Sequence, residues 1–389
     1  MKKLIKNLDK PLLIISVILF IIGLIMIFSS SSITSFMKYN ASPYLYFFKQ
    51  CLFLGFSLLL CLFILPFHSK SYRIFSSLGV YLVGALLVLL LIYGTVKNLA
   101  VSWIDFGFMS LQPSEFAKII IIVWLACYYD ANKDKLNSYI VVLYPIFISM
   151  IIAGLIFVQP DLGTAIIFSV IVAAIFFMAP IEKEIRNKVL MILGSIVLIA
   201  VIVLASGGKS LLNERQLQRF DFTDPCSEEK FYSYGNQVCN GYIAINNGGL
   251  QGVGLGGSTQ KYLYLPEAHT DFIFAIIMEE LGYLGALFIF TLYFLLIGRI
   301  IKIAKQSYNT RGFLICMGVA VYILMHIVVN LGGIFGLIPM TGVPLPFMSY
   351  GGSYAMCLVL SLCFVQRINI ENRLYLEKTA DKPKKKRRF

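Results

Sequence analysis

Long apolar runs separated by short polar segments set the pattern of this chain. They occupy residues 11–29, 45–66, 75–94, 114–129, 138–158, 163–180, 188–206, 271–298, 313–332 and 350–366. A helix needs roughly 20 apolar residues to cross about 30 Å of hydrocarbon. The pattern therefore predicts an all-α polytopic membrane protein with about ten transmembrane helices. An even number of crossings returns the chain to the side on which it began. No small-residue cleavage site follows the basic stretch MKKLIKNLDK, which predicts a retained first span and not a removed signal peptide.

Two segments break the pattern. Residues 207–270, between the seventh and eighth runs, form one long polar stretch of Arg, Asp, Gly and aromatic residues. Loops of that length in compact folds are usually functional or disordered. The second, GGIFGLIPMTGVPLPFMSYGG at 332–352, is apolar but too rich in Gly and Pro for a continuous helix. Apolar, non-helical backbone fits a re-entrant or cavity-lining segment buried within protein. The two segments are expected to meet. On this reading residues 1–366 form a single transmembrane domain and 367–389 a basic tail.

Charge orients these spans. Of 389 residues, 58% are hydrophobic and 14% charged, which excludes a soluble domain. If the N-terminus is cytoplasmic, the inner segments hold Lys2, Lys3, Lys6, Lys10, Lys70, Arg73, Lys133, Lys135, Lys183, Arg186, Lys188, Arg299, Lys302, Lys305 and Arg311, besides the tail, with the loop at 130–137 near neutral. Outer segments keep only Lys38, Lys97, Lys209, Arg215, Arg219, Lys230 and Lys261. This positive-inside bias predicts that both termini are cytoplasmic and that 207–270 is extracytoplasmic. The tail KPKKKRRF suits attraction to anionic lipid; no recognition pattern for nucleic acid accompanies it. Six of the eight cysteines lie in apolar runs, as small hydrophobes. Cys226 and Cys239 share the outer loop, where a disulfide is permitted.

Candidate chemistry gathers on the outer side. In PEAHTDFIFAIIMEE, Asp271 stands at the mouth of an apolar helix and Glu279 and Glu280 lie further in. Carboxylates are costly in hydrocarbon. Counting back from Arg299 puts the glutamates near the membrane boundary and Asp271 about 12 Å beyond them, at 1.5 Å per helical residue. Gly282 offers a point at which this helix could bend. Asp271 is either a helix cap or an acid for chemistry on an anionic lipid-linked substrate, with Glu267, His269, Lys261, Arg215 and Arg219 on the same face. Arg215 and Arg219, four residues apart, either grip a diphosphate or form a salt-bridged surface helix. Glu115 and Lys118 share a helix face, as a buried pair or with Lys118 free to touch substrate. Asp161 caps the helix that follows it or has a direct role. His326 is expected to bond a neighbouring helix, and no Cys/His spacing resembles a metal site. The glycines of GLQGVGLGG, 249–257, lack the strand and βαβ unit of a dinucleotide fingerprint.

Four blocks carry a resemblance: WIDFGFMSLQPSEFAK, QPDLGTA, NGYIAINNGGLQGVGLGGSTQKYLYLPEAHTDFIFAIIMEELG and PMTGVPLPFMSYGGS. Through them nearly the whole chain resembles the SEDS proteins (FtsW, RodA, SpoVE), polytopic glycosyltransferases that polymerise peptidoglycan glycan strands from lipid II. Asp105 departs from the Asn often found there. The resemblance implies that Asp271 is the essential acid and that Glu115, Lys118, Lys261, Ser349 and Gly351 matter. It implies a location in the bacterial cytoplasmic membrane and a partner, a class B penicillin-binding protein. The Asn-Gly-Tyr stretch, the wording around Asp271 and the basic tail look more like the division branch, with its septal site and divisome membrane proteins, than the elongation branch. No cofactor is implied with certainty, although a divalent cation (Mg or Mn) would suit a diphosphate leaving group. A lipid II flippase and a non-catalytic scaffold are the rival readings.

Overall fold

The computed structural model describes residues 2–93, 95–97, 100–105, 110–206, 224–231 and 235–380. Its helices are α1 (Lys2–Lys6), α2 (Lys10–Tyr39), α3 (Leu45–Ile64), α4 (Tyr72–Tyr93), α5 (Pro113–Ala131), α6 (Tyr139–Val158) and α7 (Leu162–Met178). They continue with α8 (Lys183–Ser206), α9 (Glu228–Phe231), α10 (Asn236–Gly248), α11 (Ile273–Lys305), α12 (Thr310–Ile334) and α13 (Gly352–Ala380). Every apolar run of the sequence has become a helix. Among the described residues seven are long and apolar enough to cross a membrane, α7 is shorter, and α5 carries Glu115, Lys118 and Asp130 among its apolar residues. Of these seven, α12 and α13 are the most enclosed, whereas α3 turns most of its apolar surface outward. Outward apolar side chains such as Leu52, Phe63, Ile140 and Phe294 are the surface expected of a multi-pass membrane protein, because lipid and not protein covers them.

A polar network ties one end of the bundle. Asp9 caps α2 by accepting the Leu12 N–H at 2.9 Å, and its carboxylate also takes Arg299, at the end of α11, at 2.9 and 2.5 Å. Burial alone would raise the Asp9 pKa; the bonds from Arg299 and Leu12 outweigh it and hold the carboxyl below its usual range. The Asp9 N–H donates to Gln366 of α13 at 2.8 Å. Glu371 accepts from Ser69 and from Arg367, and Arg311 at the start of α12 donates to Asp130 at the end of α5 at 2.9 Å. The starts of α2, α4 and α12 and the ends of α5, α11 and α13 therefore share one basic face.

Four features differ from expectation. The helix α13 runs through residue 367, where a tail was expected, to Ala380, because Glu371 one turn on neutralises the buried Arg367 at 2.9 Å. Helix α2 passes through SSSS instead of ending at 29; Ser30 Oγ donates to its own helix at Met26 O (2.7 Å), so the hydroxyl is satisfied internally. The 207–270 stretch is no simple loop, since α9 and α10 lie within it. Finally, the chain is not wholly helical. Strands β1 (Thr95–Lys97), β2 (Ala100–Asp105) and β3 (Ser110–Leu111) form an antiparallel sheet in that order, with Thr95 opposite Trp103 and Ile104 opposite Leu111. Val101, Trp103 and Ile104 favour extended backbone.

Candidate active site

At the end of the bundle away from the basic face, Asp271 sits one residue ahead of Phe272, the N-cap position of α11. It is therefore not the N-cap residue, and the count that placed it on a continuous helix fails for the same reason. Three elements hold it. Asn330, in the last turns of α12, donates one amide hydrogen to Asp271 O at 2.7 Å and the other to Val343 O at 2.8 Å. Both donors of one buried amide thus clamp the aspartate backbone to the Gly/Pro-rich segment. Gly342 takes φ +69°, and a Cβ there would lie 3.8 Å from Asp271 Oδ2. Asp271, Asn330, Gly333, Met340, Thr341 and Gly342 line a small pocket. Asp271 is half-buried.

The two irregular outer segments do meet. Tyr350 N–H donates to His269 O at 2.9 Å. The 345–349 stretch is buried without being helical, and it passes so close to α2 that a Cβ on Gly23 would overlap Phe347 O. Ser349 Oγ accepts the Leu345 N–H at 2.8 Å and closes a turn. Gly351 N–H donates to Gln50 of α3 at 3.3 Å. Asp161 caps α7 through Thr164 N–H (3.1 Å) and accepts Gln112 at 2.8 Å; Gly163 beside it lets α7 approach Thr341 and Val343. Asp161, Ser349 and Gly351 thus hold backbone in place by hydrogen bonds and do not line the pocket at Asp271.

Around Asp271, the Thr270 hydroxyl lies 3.2 Å from Asp271 Oδ1 and 2.9 Å from Glu267 Oε2, so the two acids flank one hydroxyl. His269 is buried between Tyr46 and Tyr350, and none of the described residues bonds its Nδ1. Burial lowers its pKa to about 4, with Lys38 adding repulsion and Glu267 opposing. It is neutral at pH 7 and supplies no charge to an anion. Lys38, exposed and near enough to repel that proton, was placed on the outer side from sequence but not among the substrate contacts.

The glutamates have clear structural duties. Helix α11 breaks at Gly282 (φ 66°, ψ −170°), where the anticipated bend is an interruption of the helix. The glycine-rich strap 249–257 docks into the gap: Val253 and Gly254 N–H donate to Glu279 and Glu280 O at 2.9 and 3.0 Å, and Tyr283 N–H to Gly249 O at 3.0 Å. Backbone groups freed by the break are thereby satisfied, as a membrane bundle requires. The Glu279 side chain gathers Asn247, Ser258 and Thr259, and Glu280 accepts Ser29 of α2 at 2.7 Å and Lys261 at 2.8 Å. Lys261 is 3% exposed in this pair, so it braces the strap and is no free cation for substrate.

Deeper in the bundle, Lys118 bonds Glu115 at 2.7 Å and His326 Nε2 at 2.9 Å, and none of its side chain is exposed. An ammonium can only donate. Nε2 therefore accepts, and the other ring nitrogen donates to Pro344 O at 3.3 Å. The triad thus supports the segment that faces Asp271, and Lys118 does not reach a ligand-accessible surface. A disulfide joins Cys226 to Cys239 and so ties the approach to α9 to α10. Arg215 and Arg219 lie outside the described residues. Asn330 was missed by sequence reasoning although the signal was present: a second polar residue one turn after His326 in an apolar helix. Among the described residues no three His, Cys, Asp or Glu side chains group as metal ligands.

The fold is that of a polytopic membrane protein, and its candidate site centres on a carboxylate held by irregular segments. Residues 10–374 match the family model described as cell cycle protein, FtsW/RodA/SpoVE. The chain belongs to that family. It is 37% identical over 400 residues to the probable peptidoglycan glycosyltransferase FtsW of Bacillus subtilis, covering 100% of this chain and 98% of the relative. The stage V sporulation protein E of the same organism is 34% identical over 359 residues, covering 91% of this chain and 94% of the relative. In fold the chain resembles a member of a peptidoglycan synthase complex that coordinates polymerization and crosslinking (TM-score 0.73, 23% identity, 94% of this chain and 98% of that one). It also resembles the rod shape determining protein RodA of Thermus thermophilus (TM-score 0.65, 22% identity, 94% and 97%).

Proposed function

We propose that this chain is a peptidoglycan glycosyltransferase that polymerises lipid II at the outer face of the cytoplasmic membrane, in septal wall synthesis during cell division. The observation that carries the mechanism is Asp271, half-buried, lining a pocket and clamped through its own backbone by Asn330. A sugar hydroxyl is a poor nucleophile at neutral pH, and a carboxylate within hydrogen-bond reach that takes its proton contributes roughly 10²–10⁴-fold. In this reading the C4 hydroxyl of the lipid II GlcNAc attacks the anomeric carbon of the growing strand's terminal MurNAc. The new C–O bond forms as the bond to undecaprenyl diphosphate breaks; the electron pair leaves with the diphosphate and the proton passes to Asp271. Cations offset the charge on the departing group. Arg215 and Arg219 are the candidates from sequence, and Lys38 from the structure.

The division assignment is supported by the relatives named FtsW, and a class B penicillin-binding protein is the expected partner for crosslinking. Burial of Lys118, Glu115 and His326 favours polymerisation over lipid flipping, because these polar groups are packed against one another and enclosed by the bundle. The test is incubation of purified Asp271→Asn protein with lipid II, with and without the transpeptidase, followed by gel separation of glycan chains. Loss of polymer with retained partner binding is the expected result; normal chains would remove Asp271 from the mechanism.

A further inference from the structure

A second pocket lies at the opposite end of the bundle. Arg73, Ser77 and Tyr81 stand four residues apart along α4 and share one helix face; Trp124, Cys127 and Tyr128 of α5 and Tyr144 of α6 complete the lining of a cavity of about 200 Å³. Its level is set by the chain: Arg73 is the second residue of α4, and Tyr128 lies in the last turn of α5, on the basic face that holds Asp130 and Arg311. We infer that this pocket binds the phosphate of an anionic phospholipid in the leaflet of the basic face.

The donor count points to an anion. The Arg73 side chain is exposed and has no acidic partner among the described residues. Asp130, the acid closest along α5, is already bound by Arg311 at 2.9 Å. Two other polar groups are committed: Ser77 Oγ donates to Arg73 O at 2.8 Å and Tyr128 OH to Val141 O at 3.1 Å. The hydroxyls of Tyr81 and Tyr144 lie 3.0 Å apart, so one proton bridges them and the other is left to point elsewhere. A guanidinium fork and a hydroxyl donor lining one cavity suit the oxygens of a phosphate group.

The surroundings favour a lipid over a free ion. Trp124, Tyr128 and Tyr144 pack on one another, with Tyr128 and Tyr144 stacked at 5.8 Å, as amphipathic rings do at headgroup level. Neighbouring residues on the same helices are apolar and uncovered: Ile74 and Leu78 on α4 are 68% and 65% exposed, Ile140 and Phe147 on α6 79% and 64%. A ligand with a charged head and acyl chains satisfies both surfaces. Basic pockets between helices on the inner side are known places for such headgroups.

The test uses full-length protein in nanodiscs of phosphatidylcholine alone, of phosphatidylcholine with phosphatidylglycerol, and of phosphatidylcholine with inorganic phosphate in the buffer. Lipid retained after detergent washing is counted by mass spectrometry. Wild type is expected to keep phosphatidylglycerol selectively. Arg73→Gln should lower that retention about tenfold, as loss of a charge-assisted contact implies, and Arg73→Lys by less. An unchanged thermal midpoint of Arg73→Gln in phosphatidylcholine shows that the variant is folded. Equal retention by wild type and Arg73→Gln would overturn the proposal, as would equal retention of both lipids by wild type. Stabilisation by inorganic phosphate equal to that by phosphatidylglycerol would assign the pocket to a free anion instead.

Discussion

Replacing Lys261 with Met separates two roles for that residue, because the structure gives it a buried partner. Lys261 and Glu280 are 2.8 Å apart with side chains 3% and 0% exposed, and Ser29 Oγ bonds the same carboxylate. Removing one member of a buried pair leaves an uncompensated charge and typically costs 3–5 kcal/mol, whereas removing both with similar volumes is often neutral. Lys261→Met and Glu280→Gln should therefore each lower the thermal midpoint in detergent strongly. The double variant should recover most of the loss, giving a coupling energy on the order of 2–3 kcal/mol. Polymerisation of lipid II should follow stability in all three proteins, with the double variant active. An inactive but fully stable Lys261→Met protein, not rescued by Glu280→Gln, would refute the bracing role and return Lys261 to substrate contact.

Acidification tests the environment of His269. Its folded pKa of about 4 lies below the usual value of 6.5, so between these values the unfolded chain binds a proton that the folded one does not. Stability should fall as pH drops from about 6.5 towards 4 and be unaffected above that window. Thermal melts of wild type and His269→Phe should converge or cross as the pH falls, and parallel curves would show that His269 is not the group responsible. The strap is tested with glycine pairs. Gly252 has φ +77° and a Cβ there would come within 2.2 Å of Glu280 O, whereas Gly254 has φ +93° with open space around it. Gly252→Ala should destabilise the protein far more than Gly254→Ala, whose cost is left-handed backbone strain of roughly 1–2 kcal/mol; equal melting would mean that the strap is not docked.

The ten helical runs, the one-sided basic charge, the irregularity of 332–352 and the bend at Gly282 were all readable from the sequence. Each is a property of consecutive residues: transfer of a side chain into hydrocarbon, helix propensity and backbone freedom act within a few positions of the chain. What only the tertiary structure decided is which distant groups meet. Lys261 and His269 read as groups near a substrate, but Lys261 is paired with Glu280 and His269 is buried between two tyrosines. Arg367 read as the end of a span until Glu371 neutralised it within the same helix. Asn330 gained its importance from two carbonyls, one 59 residues before it and one 13 after it, that the fold brings to a single amide. A charge or hydrogen bond is worth what its nearest neighbours in space make it worth, and spatial neighbours are what a linear pattern leaves unspecified.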